Sequence, residues 1–110
     1  MLNVKKDFEK VCVIGLGYIG LPTASLLATK GFKIYGVDTN EKVINSVKNG
    51  ELHIYEPDLD IIFKSAVFSG NLVAGTSPAP ADVFIIAVPT PFKDNHVPDI
   101  SHIEKATQAI

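Results

Sequence analysis

Short runs of apolar residues alternate along this chain with longer segments whose apolar residues recur at helical spacing. Short apolar runs of this kind are typical of strands, and three of the four consist largely of β-branched or aromatic residues. The runs occupy residues 11–14, 34–37, 72–74 and 83–88. The last run is apolar without interruption, as expected for a parallel strand that helices cover on both faces.

The first predicted helix follows the first strand run and carries small residues on one side. Gly20, Ala24 and Ala28 recur every four residues, which allows this helix to lie close to the strands. Pro22 falls within its first turn, where a missing N–H costs no hydrogen bond. Gly31 is suited to end it. The pattern therefore predicts a strand, helix and strand in succession.

Three further helices are predicted after the second strand run, each with one apolar face. The faces consist of Val43, Ile44 and Val47 in the first helix, of Leu59, Ile62, Phe63, Ala66 and Val67 in the second, and of Ile103, Ala106, Thr107 and Ile110 in the last. Gly50 ends the first helix, while Pro57 suits the first turn of the second and Gly70 its end. Either Asp99 or Ser101 is able to cap the last helix.

A glycine-rich turn, in the sequence V-C-V-I-G-L-G-Y-I-G, connects the first strand run to the first helix. Gly15 allows the tight turn, Gly17 lets a pyrophosphate approach the backbone, and Gly20 lets the helix pack closely on the sheet. Asp38 follows the second strand run, where its carboxylate can accept both hydroxyls of an adenosine ribose. These residues predict a site for NAD, because a carboxylate repels the 2′-phosphate of NADP.

The order of the elements predicts an α/β fold: a doubly wound parallel sheet with right-handed crossovers and the strand order 3-2-1-4. We expect a truncated Rossmann-type domain, since the last helix has no stop signal and a complete dinucleotide-binding domain usually has further strands. Residues 1–110 are accordingly predicted to be the amino-terminal part of such a domain in a longer protein.

The net charge, the single cysteine and the spacing of the histidines exclude several kinds of partner and site. A net charge of −2 with scattered lysines offers no basic surface to a nucleic acid, so no nucleic-acid partner is predicted. The single cysteine, Cys12, lies inside the first strand run, which indicates a structural role and a reducing, cytoplasmic compartment. His53, His96 and His102 lack metal-ligand spacing, so no metal site is expected.

A signal peptide or membrane anchor is an alternative for part of the chain. Residues 11–29 carry no charge and follow Lys5, Lys6 and Lys10. Three glycines and a proline make this stretch a poor membrane segment, and the following strands and helices need it as a partner in their core. We therefore predict no membrane partner.

Several separated motifs occur in the order found in a known family. They are V-I-G-L-G-Y-I-G-L-P-T-A, G-V-D-T-N, N-G-E-L-H-I-Y-E-P-D-L, I-I-A-V-P-T-P-F and V-P-D-I-S. Together they extend over nearly the whole chain from Val11, and they resemble the amino-terminal domain of the UDP-glucose/GDP-mannose dehydrogenase family.

The resemblance implies that this domain binds NAD. It implies cofactor contacts to Tyr18 and Ile19 of the glycine turn, to Asp38 for the ribose, and to Thr90 after the last strand run. These are physically suitable places, because a helix start offers free N–H groups and open α/β sheets bind ligands at the carboxyl ends of their strands.

One position departs from the pattern of some relatives. They have a lysine five residues after the ribose-binding aspartate, whereas this chain has Val43 there and Lys42 one residue earlier. A lysine at the spacing of those relatives is therefore missing, and no role is assigned to Lys42.

The resemblance also implies the activity of the full protein. The family oxidises the C6 hydroxymethyl group of a nucleotide sugar to a carboxylate with two NAD molecules, through a cysteine that holds the aldehyde as a thiohemiacetal. UDP-N-acetyl-D-mannosamine is the expected substrate, and UDP-glucose, UDP-N-acetylglucosamine and GDP-mannose are alternatives. Family members carry the catalytic cysteine and most sugar contacts beyond position 110, so no catalytic residue is assigned here. We expect this chain to be inactive alone and the full-length protein to be a homo-oligomer.

Two other functions share the cofactor motifs. A regulatory module that senses NAD or another nucleotide for a transporter would have the same strand, glycine turn and acidic residue. A hydroxyacid or phosphogluconate-type dehydrogenase would combine the same cofactor fold with a different substrate domain. The loop at residues 88–92 discriminates the sensor from an enzyme, because a sensor needs no nicotinamide-facing threonine there.

Overall fold

The computed structural model describes residues 10–54, 56–88 and 101–109. In the last of these ranges, side chains are described for residues 103–105, 107 and 108. In chain order the described elements are β1 (Lys10–Ile14), α1 (Gly20–Thr29), β2 (Lys33–Val37), α2 (Glu41–Lys48), α3 (Leu59–Phe68), β3 (Leu72–Gly75), β4 (Val83–Ile86) and α4 (Ser101–Ala109). This is the order that the hydrophobic pattern predicts.

The four described strands form one parallel sheet in the order β3-β2-β1-β4, which confirms the predicted α/β fold and strand order. Ile14 at the end of β1 lies opposite Val37 of β2 and Ile86 of β4. Val37 in turn lies opposite Gly75 of β3. The N–H of Gly15 continues the pairing by donating to the carbonyl of Val37 at 2.7 Å. All four strands thus end at one edge, where parallel sheets bind ligands.

The main core lies between one side of the sheet and helices α1, α2 and α3. Phe63 of α3 is fully buried there, together with Leu21, Ala24 and Ala28 of α1. The small residues let α1 pack against α3 as well as against the sheet. Truncating a buried aromatic residue to alanine typically costs about 3–5 kcal/mol, so Phe63 is a principal anchor of this layer.

The other side of the sheet carries a smaller cluster of Cys12, Ile14 and Val37. Partly buried Ala81, from the loop between β3 and β4, packs against it.

Strand β4 is two residues shorter than the apolar run, and its side chains are only partly buried. Val83 and Ile85 of β4 pack against the main core on one side of the sheet, and Phe84 and Ile86 pack against the smaller cluster on the other side. Helix α4 also contacts β4. The expectation that helices cover both faces of this strand stays a prediction, because residues 89–100 lie outside the described residues.

The start of α3 differs from the prediction. The helix begins at Leu59, so Pro57 lies in the preceding turn and not in the first helical turn. The N–H of Leu59 donates to the carbonyl of Glu56 at 3.3 Å, and Asp58 adopts a left-handed conformation with a φ of 65°. A left-handed residue cannot continue a right-handed helix, which is why the helix does not extend back to Pro57.

The predicted ends of α1 and α2 agree with the structure. Helices α1 and α2 end just before Gly31 and Gly50, both of which have a positive φ. Helix α4 begins at Ser101, which is therefore its first helical residue and not its N-cap. Asp99 and Ile110 lie outside the described residues.

The uncharged stretch at residues 11–29 is divided among β1, the glycine turn and α1. Helix α1 has ten residues, about half of what a membrane span requires. In the part of the chain that the structure describes, no helix combines the length and apolar character needed to cross a membrane.

Candidate functional site

Two glycines shape the turn between β1 and α1 because neither has room for a side chain. Gly15 has a φ of 99°, and a Cβ atom there would lie 2.5 Å from the carbonyl oxygen of Ala87. A Cβ atom on Gly20 would overlap the carbonyl oxygen of Gly15 and lie 3.4 Å from the Cβ of Ala87. The atom nearest to this Cβ position thus belongs to the turn itself, at Gly15. The nearest atom on the side of the sheet belongs to Ala87, which follows β4.

Gly17 is not required by the conformation of the turn. Its φ is not positive, and among the described residues no atom lies within 4 Å of the place where its Cβ would be. Open space beside this backbone is what the close approach of a pyrophosphate requires. A side chain at Gly17 would therefore occupy space that is left for a ligand.

The N-terminus of α1 is open to an anion. Ile19 stands at the N-cap position, where it provides no side-chain hydrogen bond, and the first turn contains no acidic residue. None of the hydrogen bonds among the described residues is donated by the N–H groups of residues 17 to 20. Unpaired N–H groups at the positive end of a helix dipole suit a phosphate, so the residues present fit the pyrophosphate of a dinucleotide.

Asp38 follows directly after β2 and lies beside the glycine turn. Its Oδ2 accepts the N–H of Leu16 at 3.0 Å, and its Oδ1 accepts the N–H of Asn40 at 2.9 Å. The side chain is partly buried, and these two bonds hold it at the carboxyl edge of the sheet. Each carboxylate oxygen keeps a further lone pair, so the hydroxyls of a ribose can still be accepted.

A cleft of about 920 Å³ opens at this edge of the sheet. Its volume is in the upper range of the clefts that hold small molecules and cofactors. Ile14, Gly15, Leu16, Gly17, Tyr18, Ile19, Val37, Asp38, Thr39, Asn40, Val43, His53, Thr76, Pro78, Ala87, Val88 and Lys105 line it. The cleft therefore joins the glycine turn to the ends of all four described strands.

The structure brings most of the predicted cofactor residues together. Gly15, Gly17, Tyr18, Ile19 and Asp38 all line the cleft, and the side chains of Tyr18 and Ile19 are 65% and 71% exposed. Gly20 lies behind them at the start of α1 and does not line the cleft. Thr90, which completes the predicted set, lies outside the described residues.

Sequence reasoning missed several residues that line the cleft. Thr39 and Asn40 follow β2, while Thr76 and Pro78 follow β3. Their position after parallel strands was a usable signal, because such loops meet at one edge of the sheet. Lys105 of α4 brings a positive charge to the cleft, which no pattern in the sequence indicated.

The departure from the family's lysine position is visible in the structure. Val43 lines the cleft, whereas Lys42 is exposed on α2 and is not among the lining residues. Its backbone N–H donates to the side chain of Asn40, which caps α2. Within the described ranges, no group of three or more acidic, histidine or cysteine residues could hold a metal ion.

Comparison with known proteins gives a consistent family. The NAD binding domain model of the UDP-glucose/GDP-mannose dehydrogenase family matches residues 9–110. The UDP-N-acetyl-D-mannosamine dehydrogenase of Campylobacter jejuni is 55% identical over 105 residues, which are 94% of this chain and 26% of that protein. The NDP-N-acetyl-D-galactosaminuronic acid dehydrogenase of Ralstonia nicotianae is 53% identical over 104 residues, which are 94% of this chain and 25% of that protein.

Solved structures agree with the sequence comparison. The native UDP-N-acetyl-mannosamine dehydrogenase of Staphylococcus aureus has a TM-score of 0.90 at 43% identity, over 93% of this chain and 25% of that one. This chain therefore spans about a quarter of the length of the relatives that it matches.

Proposed function

This chain belongs to the UDP-glucose/GDP-mannose dehydrogenase family and corresponds to its NAD binding domain, and we propose that the whole enzyme oxidises the C6 hydroxymethyl group of UDP-N-acetyl-D-mannosamine to a carboxylate. Membership of a dehydrogenase family favours an enzyme over a module that only senses NAD. Membership of this family also favours a nucleotide sugar over a hydroxyacid as the class of substrate.

One observation carries the cofactor part of the proposal: the glycine turn, the open N-terminus of α1 and Asp38 meet at a single cleft. The N–H groups at Tyr18 and Ile19 would hold the pyrophosphate, and Asp38 would hold the adenosine ribose. Thr90, placed by resemblance after β4, would complete the set. When bound, NAD supplies the acceptor for the hydride that leaves C6 of the sugar.

The names of the relatives support the choice of sugar. The proteins of Campylobacter jejuni and Staphylococcus aureus are both named for UDP-N-acetylmannosamine. The Ralstonia protein, at nearly equal identity, is named for an N-acetylgalactosaminuronic acid. All three names contain an N-acetylated amino sugar, which supports UDP-N-acetyl-D-mannosamine over UDP-glucose and GDP-mannose, with UDP-N-acetylglucosamine as an alternative.

We assign to this chain the binding of the cofactor and no acid, base or nucleophile. Cys12 is its only cysteine, and its side chain is 0% exposed within β1. Burial raises the pKa of the Cys12 thiol, which disfavours the nucleophilic thiolate. The proposal therefore places the thiol that holds the aldehyde, and most sugar contacts, in parts of the enzyme beyond these residues. It also takes the enzyme to be a cytoplasmic homo-oligomer.

A turnover assay of the full-length protein with NAD and a panel of UDP- and GDP-sugars tests the proposal. We expect NADH to form fastest with UDP-N-acetyl-D-mannosamine, and about two NADH to form per sugar because the aldehyde is oxidised before release. A clear preference for UDP-glucose or GDP-mannose would overturn the choice of sugar. A Cys12→Ala variant is the control, and we expect it to keep the same ratio of NADH to sugar.

A further inference from the structure

Leu16, between the first two glycines of the turn, is held from three directions. Its N–H donates to Oδ2 of Asp38 at 3.0 Å, and its carbonyl oxygen lies 2.6 Å from Nε2 of His53. Its side chain is fully buried and fills the space that Gly36 leaves free, since a Cβ there would lie 3.0 Å from both of its Cδ atoms. The backbone on either side of Leu16 therefore has little freedom to rotate.

The contact with His53 determines the direction of the next N–H group. The described residues contain no cis peptide bond, and in a planar trans peptide the C=O and N–H point in opposite directions. Holding the carbonyl of Leu16 toward His53 thus directs the N–H of Gly17 away from His53. Gly17 lines the cleft, and its N–H has no acceptor among the described residues.

The following peptide is fixed in a similar way. The carbonyl of Gly17 accepts the N–H of Leu21 at 3.1 Å, in the first turn of α1. The N–H of Tyr18 belongs to the same peptide and points in the opposite direction, away from the body of the helix. His53 and Leu21 together therefore orient two successive peptides whose N–H groups are unpaired.

We propose that His53 is a positioning residue for the cofactor: its Nε2–H holds the carbonyl of Leu16 and so presets the glycine turn to receive the pyrophosphate of NAD. This inference rests on the proposed function, in which the glycine turn binds NAD. His53 lies in the loop between α2 and α3, 37 residues after Leu16, so the glycine motif itself gives no indication of it.

The chemistry of the contact defines the state of the imidazole. A carbonyl oxygen only accepts hydrogen bonds, so Nε2 of His53 carries a proton. Nδ1 is buried and has no hydrogen-bond partner among the described residues. An aliphatic side chain would avoid this unpaired atom, but it would leave the carbonyl of Leu16 without its donor.

Two substitutions test whether NAD binding depends on the hydrogen bond to Leu16 or only on a polar side chain at position 53. His53→Gln places an amide N–H at about the reach of Nε2, whereas His53→Asn places one nearer to Nδ1 and too short to reach Leu16. In the full-length protein we expect the glutamine variant to bind NAD within about threefold of wild type, and the asparagine variant to lose about tenfold, as for one hydrogen bond. The KM for the nucleotide sugar should stay unchanged in both.

Adenosine, tested as a competitor of NAD, distinguishes positioning of the turn from a general structural role. It has the adenine and the ribose but no phosphate, so we expect its affinity to be the same in wild type and in both variants. Equal losses for adenosine and NAD would overturn the proposal, as would wild-type NAD affinity in His53→Asn. If wild type itself does not bind NAD, the proposed function fails. If wild type binds NAD but the asparagine variant binds it equally well, only the role of His53 fails.

A measurement on the wild-type protein keeps the inference testable even where a variant does not fold. In ¹⁵N-labelled wild-type protein, the imidazole signals of His53, assigned through their connectivity to the backbone amide of His53, should show a proton on Nε2. A proton on Nδ1 alone would overturn the proposal, because Nε2 could then donate nothing to Leu16.

Discussion

The carboxylate of Asp38 accepts a hydrogen bond from the backbone N–H of Leu16, 22 residues earlier in the chain, at 3.0 Å. This bond joins the end of β2 to the glycine turn after β1. The residue proposed to hold the ribose therefore also supports the turn proposed to hold the pyrophosphate. A change at Asp38 consequently acts on both halves of the cofactor site. The other carboxylate oxygen accepts the backbone N–H of Asn40, a bond that a side-chain substitution at Asn40 leaves in place.

The first prediction concerns the choice of cofactor. We expect the protein to bind NAD more tightly than NADP, because the 2′-phosphate would face the carboxylate of Asp38 as a like charge. Asp38→Ala should weaken NAD binding about ten- to hundredfold, as for the loss of bonds to a charged group, and should reduce the preference for NAD. Titration of both cofactors against wild type and variant measures this.

A matched variant separates the two roles of Asp38. Asp38→Asn keeps an oxygen acceptor for one backbone N–H and removes the charge. It should lose the discrimination against NADP while retaining more NAD affinity than Asp38→Ala. Equal or tighter binding of NADP by wild type would contradict the prediction, as would an unchanged NAD affinity in Asp38→Ala.

The second prediction compares two glycines of the same motif. Gly17→Val should leave the melting temperature unchanged but abolish NAD binding, because the side chain enters open space beside the turn. Gly20→Val should lower the melting temperature, because even a Cβ there overlaps the carbonyl of Gly15. Thermal melting followed by circular dichroism, together with NAD titration, distinguishes the two. A Gly17→Val variant that binds NAD normally would refute the role given to the glycine turn.

The sequence predicted the parts of this site that are determined by residues close together in the chain. The glycines and Asp38 could be located because a tight turn, an open helix start and the end of a parallel strand each have a local signature. The strand order followed from handedness and from the sequence of elements. These rules need no knowledge of which side chains meet.

The contacts of His53 and the conformation of Asp58 could not be predicted in this way. His53 approaches Leu16 only because the loop between α2 and α3 folds back toward β1, and its spacing from the glycines follows no motif. Asp58 follows Pro57, which the sequence places in the first turn of the helix, yet Asp58 adopts a left-handed conformation that non-glycine residues seldom take. Both features depend on tertiary packing, which sequence periodicity does not encode.

The third prediction concerns a buried hydroxyl. The Oγ of Ser25 in α1 is buried and has no hydrogen-bond partner among the described residues. Ser25→Ala should raise the free energy of unfolding by about 1 kcal/mol, because it removes an unpaired polar atom and favours the helix. Ser65→Ala, on the exposed side of α3, is the matched control and should gain only the smaller effect of helix propensity. Equal effects in chemical denaturation would show that burial of the hydroxyl is not costly.

The fourth prediction uses one substitution at two neighbouring positions. Asp58→Gly should stabilise the protein by up to about 1 kcal/mol, since glycine adopts the left-handed conformation without strain. Asp60→Gly should instead destabilise it by about 1 kcal/mol, because Asp60 lies in the first turn of α3 and pairs with Lys64 at 3.4 Å. Thermal or urea unfolding measures both, and the prediction fails if the two variants shift in the same direction.

The last prediction concerns the dependence of stability on pH at Cys12. Burial raises the pKa of this thiol, and a hydrogen bond with the backbone of Ala79 opposes the shift with a smaller effect. The native state therefore holds the thiol proton more tightly than the unfolded state does. Its contribution to stability is fully present below the ordinary thiol pKa of about 8.5, and it is lost as the pH rises above that value toward the pKa of the folded state.

A comparison with Cys12→Ala isolates this contribution from that of tyrosines and lysines. The variant should be less stable at neutral pH, because it loses buried volume in β1. Above about pH 8.5 the free energy of unfolding of wild type should fall more steeply than that of the variant, by at most about 1.4 kcal/mol per pH unit. Parallel curves would mean that the thiol ionises equally in both states. The buried thiol would then have no raised pKa, and the argument against Cys12 as a nucleophile would rest on its inaccessibility alone.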